Sequence, residues 1–339
     1  MKHIIQRENG IALFLVLWVL TLLSVIVGEF CYAMRTEVNI TRNFKEEIQA
    51  YYIAEAGLYF AVTEFIKAEK SPQKAPDMEE EEEEKIRWRI NADIPAIEFE
   101  QGWFKVNIGN ESGKININKA TPGLLKILLN GFDLEEEAGN IIVDSIMDWR
   151  DKDKLHRLNG AEDDYYNSLP EPYECKDGDF ESLEELLLVR GVTPEIFHGG
   201  LKDMVTIFQD KDNTSRNKRR GRSKKKSNFN KININAANPR MLLALPLMTE
   251  DLVKEIIEYR KENDFKSLNE LLTLLGPEVY GAIKSYITLK TSSYFTIQSF
   301  GMVDGSRVQQ GVQAIVKIDK GIKKGYRLIQ WFDTIDNFI

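Results

Sequence analysis

The sequence predicts an α+β chain. A long N-terminal helix, apolar and then amphipathic, packs on an antiparallel sheet into which a large all-α domain of two helical modules is inserted. Three observations carry this. An eighteen-residue run without a charge, Ile11 to Gly28, continues to Lys70 without a proline. A segment in the middle of the chain occurs twice. After Thr291 the pattern turns to β-branched and aromatic runs separated by glycine-containing turns.

A polar leader with Lys2 and Arg7 ends at Gly10, and the apolar run follows it. At ~1.5 Å per residue that run makes ~27 Å of helix, close to a ~30 Å hydrocarbon core. A secretory signal has a shorter apolar core with a small-residue cleavage site after it. Here the processing signal precedes the run, at Gly10 and Ile11. Beyond it, Phe44, Ile48, Tyr51, Ala54, Leu58, Val62 and Phe65 recur at spacings of three or four, one apolar stripe. Ile11 to about Ala68 is then a single rod of ~87 Å. A plain single-span anchor followed by a separate helix fits these residues equally well.

The net charge of −8 argues against a general nucleic-acid binder. Two cysteines, Cys31 in the rod and Cys175 in a loop, do not make a disulfide framework. Six glutamates, Glu79 to Glu84, read as a solvated connection. GWFKVNIG (102–109) alternates as a strand, NESG (110–113) as a turn, and KININ (114–118) as the second arm of a hairpin against the rod.

KININKATPGLLKIL from Lys114 matches KININAANPRMLLAL from Lys231, and FESLEELLLVRG from Phe180 matches FKSLNELLTLLG from Phe265. Thr121-Pro122 and Asn238-Pro239 open equivalent helices, and Ser182/Glu185 and Ser267/Glu270 form equivalent capping boxes. Lys114 to Phe180 spans 66 positions and Lys231 to Phe265 spans 34, so the first copy carries about 32 extra residues. These hold Asp148, Asp151, Asp153, Glu162, Asp163, Asp164, Glu171, Glu174, Asp177 and Asp179. Carboxylates this dense repel unless neutralised, and Ca²⁺ accepts six to eight oxygens in flexible geometry. A solvated acidic loop is the other reading. No nucleophile–base pair, phosphate loop or zinc spacing accompanies the carboxylates, so no enzyme is expected.

Lys211 to Ser227 has nine Lys or Arg and no apolar residue, the composition of a disordered linker. The C-terminal strands, YFTIQSFGMV, VQQGVQAIVKID and YRLIQWFDTI, return to the sheet.

A leader ending in Gly10, an uninterrupted apolar helix and AEAG at 54–57 resemble type IV pilins and pseudopilins. In that family a prepilin peptidase cuts after the glycine and methylates the new N-terminus, here Ile11. Most members carry Glu at the fifth mature position, where this chain has Leu15. That departure, with the order rod, strands, helical insertion and returning strands, resembles the type II secretion minor pseudopilins of the protein K family. The resemblance covers essentially the whole chain. It implies a pilin-like sheet and a position at the pseudopilus tip, where assembly starts and export across the outer membrane is driven. Implied partners are minor pseudopilins of the I and J types, the inner-membrane platform, and exported cargo or the outer-membrane channel. The rod would pack through Leu15, Trp18 and Leu22, with the head in the periplasm. It also implies calcium in the acidic loop, GAED included, with Asp151, Asp153, Glu162, Asp163 and Asp164 as leading ligands and Asp177 and Asp179 as further candidates.

The second copy also resembles helix-hairpin-helix modules of DNA-uptake proteins, which grip phosphate through a glycine-containing hairpin. Leu245-Pro246-Leu247-Met248-Thr249 stands at that place without a glycine. The expected layout is leader 1–10, helix 11–70 with 11–28 in the membrane, linker and first strands 71–113, first module 114–210, basic linker 211–227, second module 228–290 and final strands 291–339.

Overall fold

The computed structural model describes residues 9–70, 86–210, 231–319 and 321–333. The leader up to residue 8, the Glu79–Glu84 run and the basic segment 211–227 lie outside the described residues. Helix α1 (Asn9–Lys70) is 62 residues long, ~93 Å at 1.5 Å per residue. With no proline to remove a donor, nothing interrupts it. Among the described residues it is the one helix long and apolar enough to cross a membrane.

Its two ends have different surroundings. From Ile11 to Ile48 almost every side chain is exposed. Ala50, Ala54, Leu58, Ala61, Val62 and Phe65 are buried under the head. The expected stripe therefore begins later than its period suggested. Phe44 and Ile48 remain 62% and 41% exposed. The head ends at Glu46 and Glu47, which accept hydrogen bonds from Ser306 Oγ (2.6 Å) and Gln310 Nε2 (3.1 Å).

The short β1 (Ile97–Phe99) pairs with β2 (Gly102–Asn110). The chain then leaves the sheet for about 180 residues before three C-terminal strands complete it. The insertion comprises β3 (Ile115–Asn116), α2 (Pro122–Leu129), α3 (Glu136–Arg150), α4 (Asp163–Tyr166), the short α5 (Pro194–Ile196) and α6 (Lys202–Met204), and β4 (Val205–Thr206). Its second half holds β5 (Ile232–Asn233), α7 (Pro239–Ala244), α8 (Glu250–Glu262), α9 (Leu268–Ile283) and β6 (Ile287–Thr288). Strands β7 (Tyr294–Val303), β8 (Gln309–Ile318) and β9 (Tyr326–Phe332) follow. The sheet order is β1-β2-β7-β8-β9, antiparallel throughout.

Phe104, Val106 and Ile108 of β2, Phe295 and Ile297 of β7, and Val312, Ala314 and Val316 of β8 form one core with the rod. The Phe65 and Phe295 rings lie 4.7 Å apart. Close approach depends on small residues. A Cβ on Gly57 would meet the Phe104 ring and Ser299 Oγ, and one on Gly301 would meet the rod backbone at Ala50 O and Ala54 N. Helix and sheet thus approach closely from Ala50 to Gly57, a stretch that includes AEAG.

KININ at 114–118 is not the hairpin partner of β2. Strand β2 pairs with β7 in register from Gly102↔Val303 to Asn110↔Phe295. Instead β3 runs parallel to β4, Ile115 opposite Val205, and β5 runs parallel to β6, Ile232 opposite Ile287. Each module closes on itself through such a pair. The duplication extends to single hydrogen bonds. Asn118 exchanges bonds with the Phe180 backbone, as Asn235 does with Phe265. Arg150 donates to the carbonyls of Ile117 and Ala120, as Arg260 does to Ile234 and Ala237. The two modules share one hydrophobic core, distinct from that of rod and sheet.

The capping boxes form only in part. Glu185 accepts from Glu181 N and Ser182 N, but the 3₁₀ turn that follows has no side-chain cap. Ser267 caps Asn269 N at 3.2 Å.

The insertion joins the sheet at Asn110, which is 3% exposed. Its Nδ2 donates to Ser292 O (2.9 Å), and its Oδ1 accepts from Ser292 N (3.1 Å) and Ser112 N (3.0 Å). Beside it, buried Glu111 accepts from Lys114 Nζ at 2.8 Å and from Thr296 Oγ1 at 2.5 Å. Burial alone would push this carboxyl up, but the Lys114 charge and the hydroxyls of Thr206 and Thr296 outweigh it and hold it below its ordinary value. A depressed carboxyl contributes stability that is present above its unfolded pKa and lost as pH falls through the folded one. Glu111→Gln should cost about 2 kcal/mol at pH 7, and thermal unfolding should show the gap to wild type closing below about pH 4. A gap that widens on acidification would contradict this assignment.

Candidate metal site

The acidic segment of the first module begins where α3 ends. Arg150 and Arg260 are equivalent, so the extra residues divide in two. Asp151 to Asp179 lies between Arg150 and Phe180, whereas four residues separate Arg260 from Phe265. The remainder lengthens the helices before Arg150. The long loop rests on an aromatic floor in which Tyr166, 0% exposed, stacks with Tyr173 (5.2 Å) and meets Trp149 edge-on (5.3 Å).

Most of its carboxylates already have partners. Asp148, fully buried, accepts from Arg157 N at 3.0 Å and pairs with the Arg157 guanidinium, which also reaches Asp151 at 2.7 Å. Gly160 lies directly against the Asp148 carboxylate, where a Cβ would not fit. Asp153 accepts from Leu155 N, and Asp179 pairs with Lys119 at 3.2 Å. Asp163 holds Lys154 (2.8 Å) and Cys175 N (2.9 Å). Asp164 is exposed on α4.

Glu162 differs from all of these. It is 2% exposed, and both carboxylate oxygens lack a hydrogen-bond partner. Asp177 Oδ1 is buried and unpartnered as well. Glu162, Cys175 and Asp177 each bring one donor atom within 4.8 Å of the others. Asp177 reaches this place from a left-handed backbone, φ 51°, tolerated because Asp is among the few side chains that visit that region. Burial, with added repulsion from Asp177, Asp148 and Asp151, pushes the Glu162 carboxyl up to about 7 against the opposing pull of the neighbouring Cys175 S–H. Burial, reinforced by Glu162 and Asp177, pushes the Cys175 thiol up to about 12.

Buried polar groups are almost always paired, and a buried lone carboxylate costs several kcal/mol. Three buried oxygens with no N–H or O–H donor, and only the Cys175 S–H beside Glu162, therefore fit a cation. Of the seven carboxylates singled out from sequence, the fold gathers Glu162 and Asp177. It spends Asp151, Asp153, Asp163 and Asp179 on cationic or backbone partners and turns Asp164 outward. Cys175 joins the group although the sequence reading considered it only for disulfides. The Cys-x-Asp spacing at Cys175 and Asp177, inside the acidic loop, was the signal available.

In the second module the turn between α7 and α8, Leu245 to Thr249, contains no glycine. Leu247 holds φ 60° and is 56% exposed, a left-handed position that glycine occupies freely and leucine does not.

Comparison with known proteins places these features. Residues 105–210 match the family model for type II secretion system (T2SS), protein K, and residues 227–288 match that for the helix-hairpin-helix motif. The type II secretion system protein K of Pectobacterium carotovorum subsp. carotovorum is 31% identical over 74 residues, 22% of this chain and 23% of that protein. The protein of the same description from Aeromonas hydrophila is 24% identical over 224 residues, 57% of this chain and 61% of its own length. The chain thus spans less than two thirds of the length of these relatives. In the crystal structure of the GspK-GspI-GspJ complex from the enterotoxigenic Escherichia coli Type 2 Secretion System, one chain superposes with a TM-score of 0.56. The match has 15% identity and covers 89% of this chain and 100% of that one. The resemblance to protein K is therefore found in sequence, and the fold is shared in structure.

Proposed function

We propose that this chain is a minor pseudopilin of a type II secretion system, positioned at the pseudopilus tip. There it helps to start assembly and so supports protein export across the outer membrane. The observation that carries this reading is the division of α1. Its N-terminal forty residues are apolar or amphipathic and exposed, while its last twenty anchor a head too large to be stacked upon. Leu15, Trp18 and Leu22 are 57%, 58% and 47% exposed, available to lipid or to other rods. An uncharged Leu15 suits a subunit that neutralises no neighbour's terminal amine inside the bilayer. On this reading the rod anchors in the inner membrane, the head stands in the periplasm, and I- and J-type pseudopilins pack beside α1. The platform, and cargo or channel, are further contacts, and the role is structural rather than enzymatic.

The deciding experiment is mass spectrometry of the N-terminus after expression with a prepilin peptidase. The expected chain starts at Ile11 and carries one added methyl. A chain starting at Met1 would refute the pilin-type assignment and leave α1 a plain anchor.

The helix-hairpin-helix match favours a second reading, a membrane-tethered DNA binder. The glycine-free hairpin at Leu245 to Thr249 counts against it, since the grip needs close backbone approach. Salt-sensitive, submicromolar DNA binding would reverse the ranking.

The acidic loop takes a structural Ca²⁺ in this proposal. Glu162 and Asp177 are the side chains that would hold it, and the ion would neutralise their buried charge. At a hundredfold excess over Kd, a ligand of the folded state adds about 2.7 kcal/mol. The melting temperature of the detergent-solubilised chain should therefore rise by about 5–8 °C between chelator and Ca²⁺. An unchanged value would remove the ion from the account.

A further inference from the structure

We infer that Cys175 makes this cation site one that also takes a borderline-soft divalent metal, Zn²⁺ foremost, through a sulfur–oxygen–oxygen set of Cys175, Glu162 and Asp177. The inference rests on reading the loop as a cation site and concerns which ions it accepts. Three observations support it. The donor atoms of these residues converge within 4.8 Å. Glu162 is 2% exposed and neither of its oxygens has an N–H or O–H donor, so its buried carboxyl has no compensating charge among the described residues. Cys175 is buried and carries a free thiol.

Ligand chemistry then separates the ions. Ca²⁺ binds oxygen and ignores a thiol, whereas Zn²⁺ binds thiolate at about 2.3 Å and carboxylate at about 2.0–2.2 Å. Tetrahedral coordination at those lengths puts donors about 3.3–3.7 Å apart. The donor atoms, now within 4.8 Å of one another, would have to draw together to that spacing on binding. Three protein donors leave the fourth position for water. On binding, the Cys175 S–H bond breaks, sulfur keeps the electron pair and donates it to the metal, and the proton passes to solvent. Because Glu162 and Asp177 serve both ions, Zn²⁺ and Ca²⁺ compete.

The test uses the full chain in detergent with Cys31→Ser, so that Cys175 is the sole thiol. Co²⁺ serves as the optical probe and Zn²⁺ and Ca²⁺ as competitors. The expected result is a sulfur-to-cobalt charge-transfer band saturating at one equivalent and displaced by Zn²⁺. Adding Cys175→Ser should abolish the band and weaken Zn²⁺ binding at least about tenfold while leaving the Ca²⁺-induced rise in melting temperature intact. No band, with the Ca²⁺ response present, would overturn this inference and leave the calcium reading standing. A band without a Ca²⁺ response would do the reverse. Neither signal would overturn both.

Discussion

Gly301→Val should separate the sheet from the rod and cost more than about 4 kcal/mol, the range reserved for core overpacking that cannot relax. A side chain at Gly301 of β7 would point at the α1 backbone, at Ala50 O and Ala54 N, with Ile53 Cβ only 3.0 Å away. A helix backbone cannot rotate aside as a flexible side chain can. The steric conflict therefore lifts the helix off the sheet and rehydrates Leu58, Val62 and Phe65, each worth about 1.5–3 kcal/mol of burial. Gly109→Ala is the control. It lies in the same sheet, but its Cβ would meet nothing nearer than 3.6 Å, so less than about 1 kcal/mol is expected. Thermal unfolding and limited proteolysis between rod and head would read both variants. Equal melting temperatures would mean that Gly301 does not set the helix–sheet distance.

Arg260→Met should destabilise the second module by about 3–5 kcal/mol. Arg260 is 5% exposed, and its guanidinium donates to Ile234 O (2.7 Å) and Ala237 O (2.8 Å). Burial lowers its pKa to about 10, still high enough to keep it charged at neutral pH. Methionine fills the space but leaves two buried carbonyls without a donor, and it is the unmade bonds that cost. Arg260→Lys, which offers a point charge instead of a planar fork, should fall between. The equivalent Arg150 is only half-buried, so water can replace part of what Arg150→Met removes. The expected order of melting temperatures is wild type, Arg150→Met, Arg260→Met. If Arg150→Met proved the more harmful, the duplicated arginines would not share the role assigned here.

The rod was legible from its length and its helical period, and the three C-terminal strands from runs of β-branched and aromatic residues, seven to ten long, set off by glycine-containing turns. Tyr294–Val303, Gln309–Ile318 and Tyr326–Phe332 lie within the segments read as strands. The repeat was legible because identical residues make identical local bonds, down to Asn118 and Asn235. The partner of KININ was not. Two residues of strand carry no information about a parallel neighbour some ninety positions away at Val205 and Thr206. Where the rod's stripe meets the head was also hidden, because Phe44 and Ile48 keep the helical period after the sheet has ended. The candidate ion site shows the limit most plainly. Composition counts carboxylates, but what distinguishes Glu162 from Asp151 or Asp163 is the absence of a cationic neighbour inside the fold. Lys154, Lys119 and Arg157 are assigned to their partners only when the loop closes.

Asn110 sets how the head carries a load. The insertion leaves the sheet after Asn110 and returns beside it, opposite Phe295 on the adjoining strand. A pull on the insertion is therefore shared by two neighbouring strands drawn in the same direction, which leaves the β2–β7 rungs unloaded and carries the force to the contacts between sheet and rod. The bonds of Asn110 to Ser292 and Ser112 hold the two crossings side by side, so insertion and sheet respond as one piece.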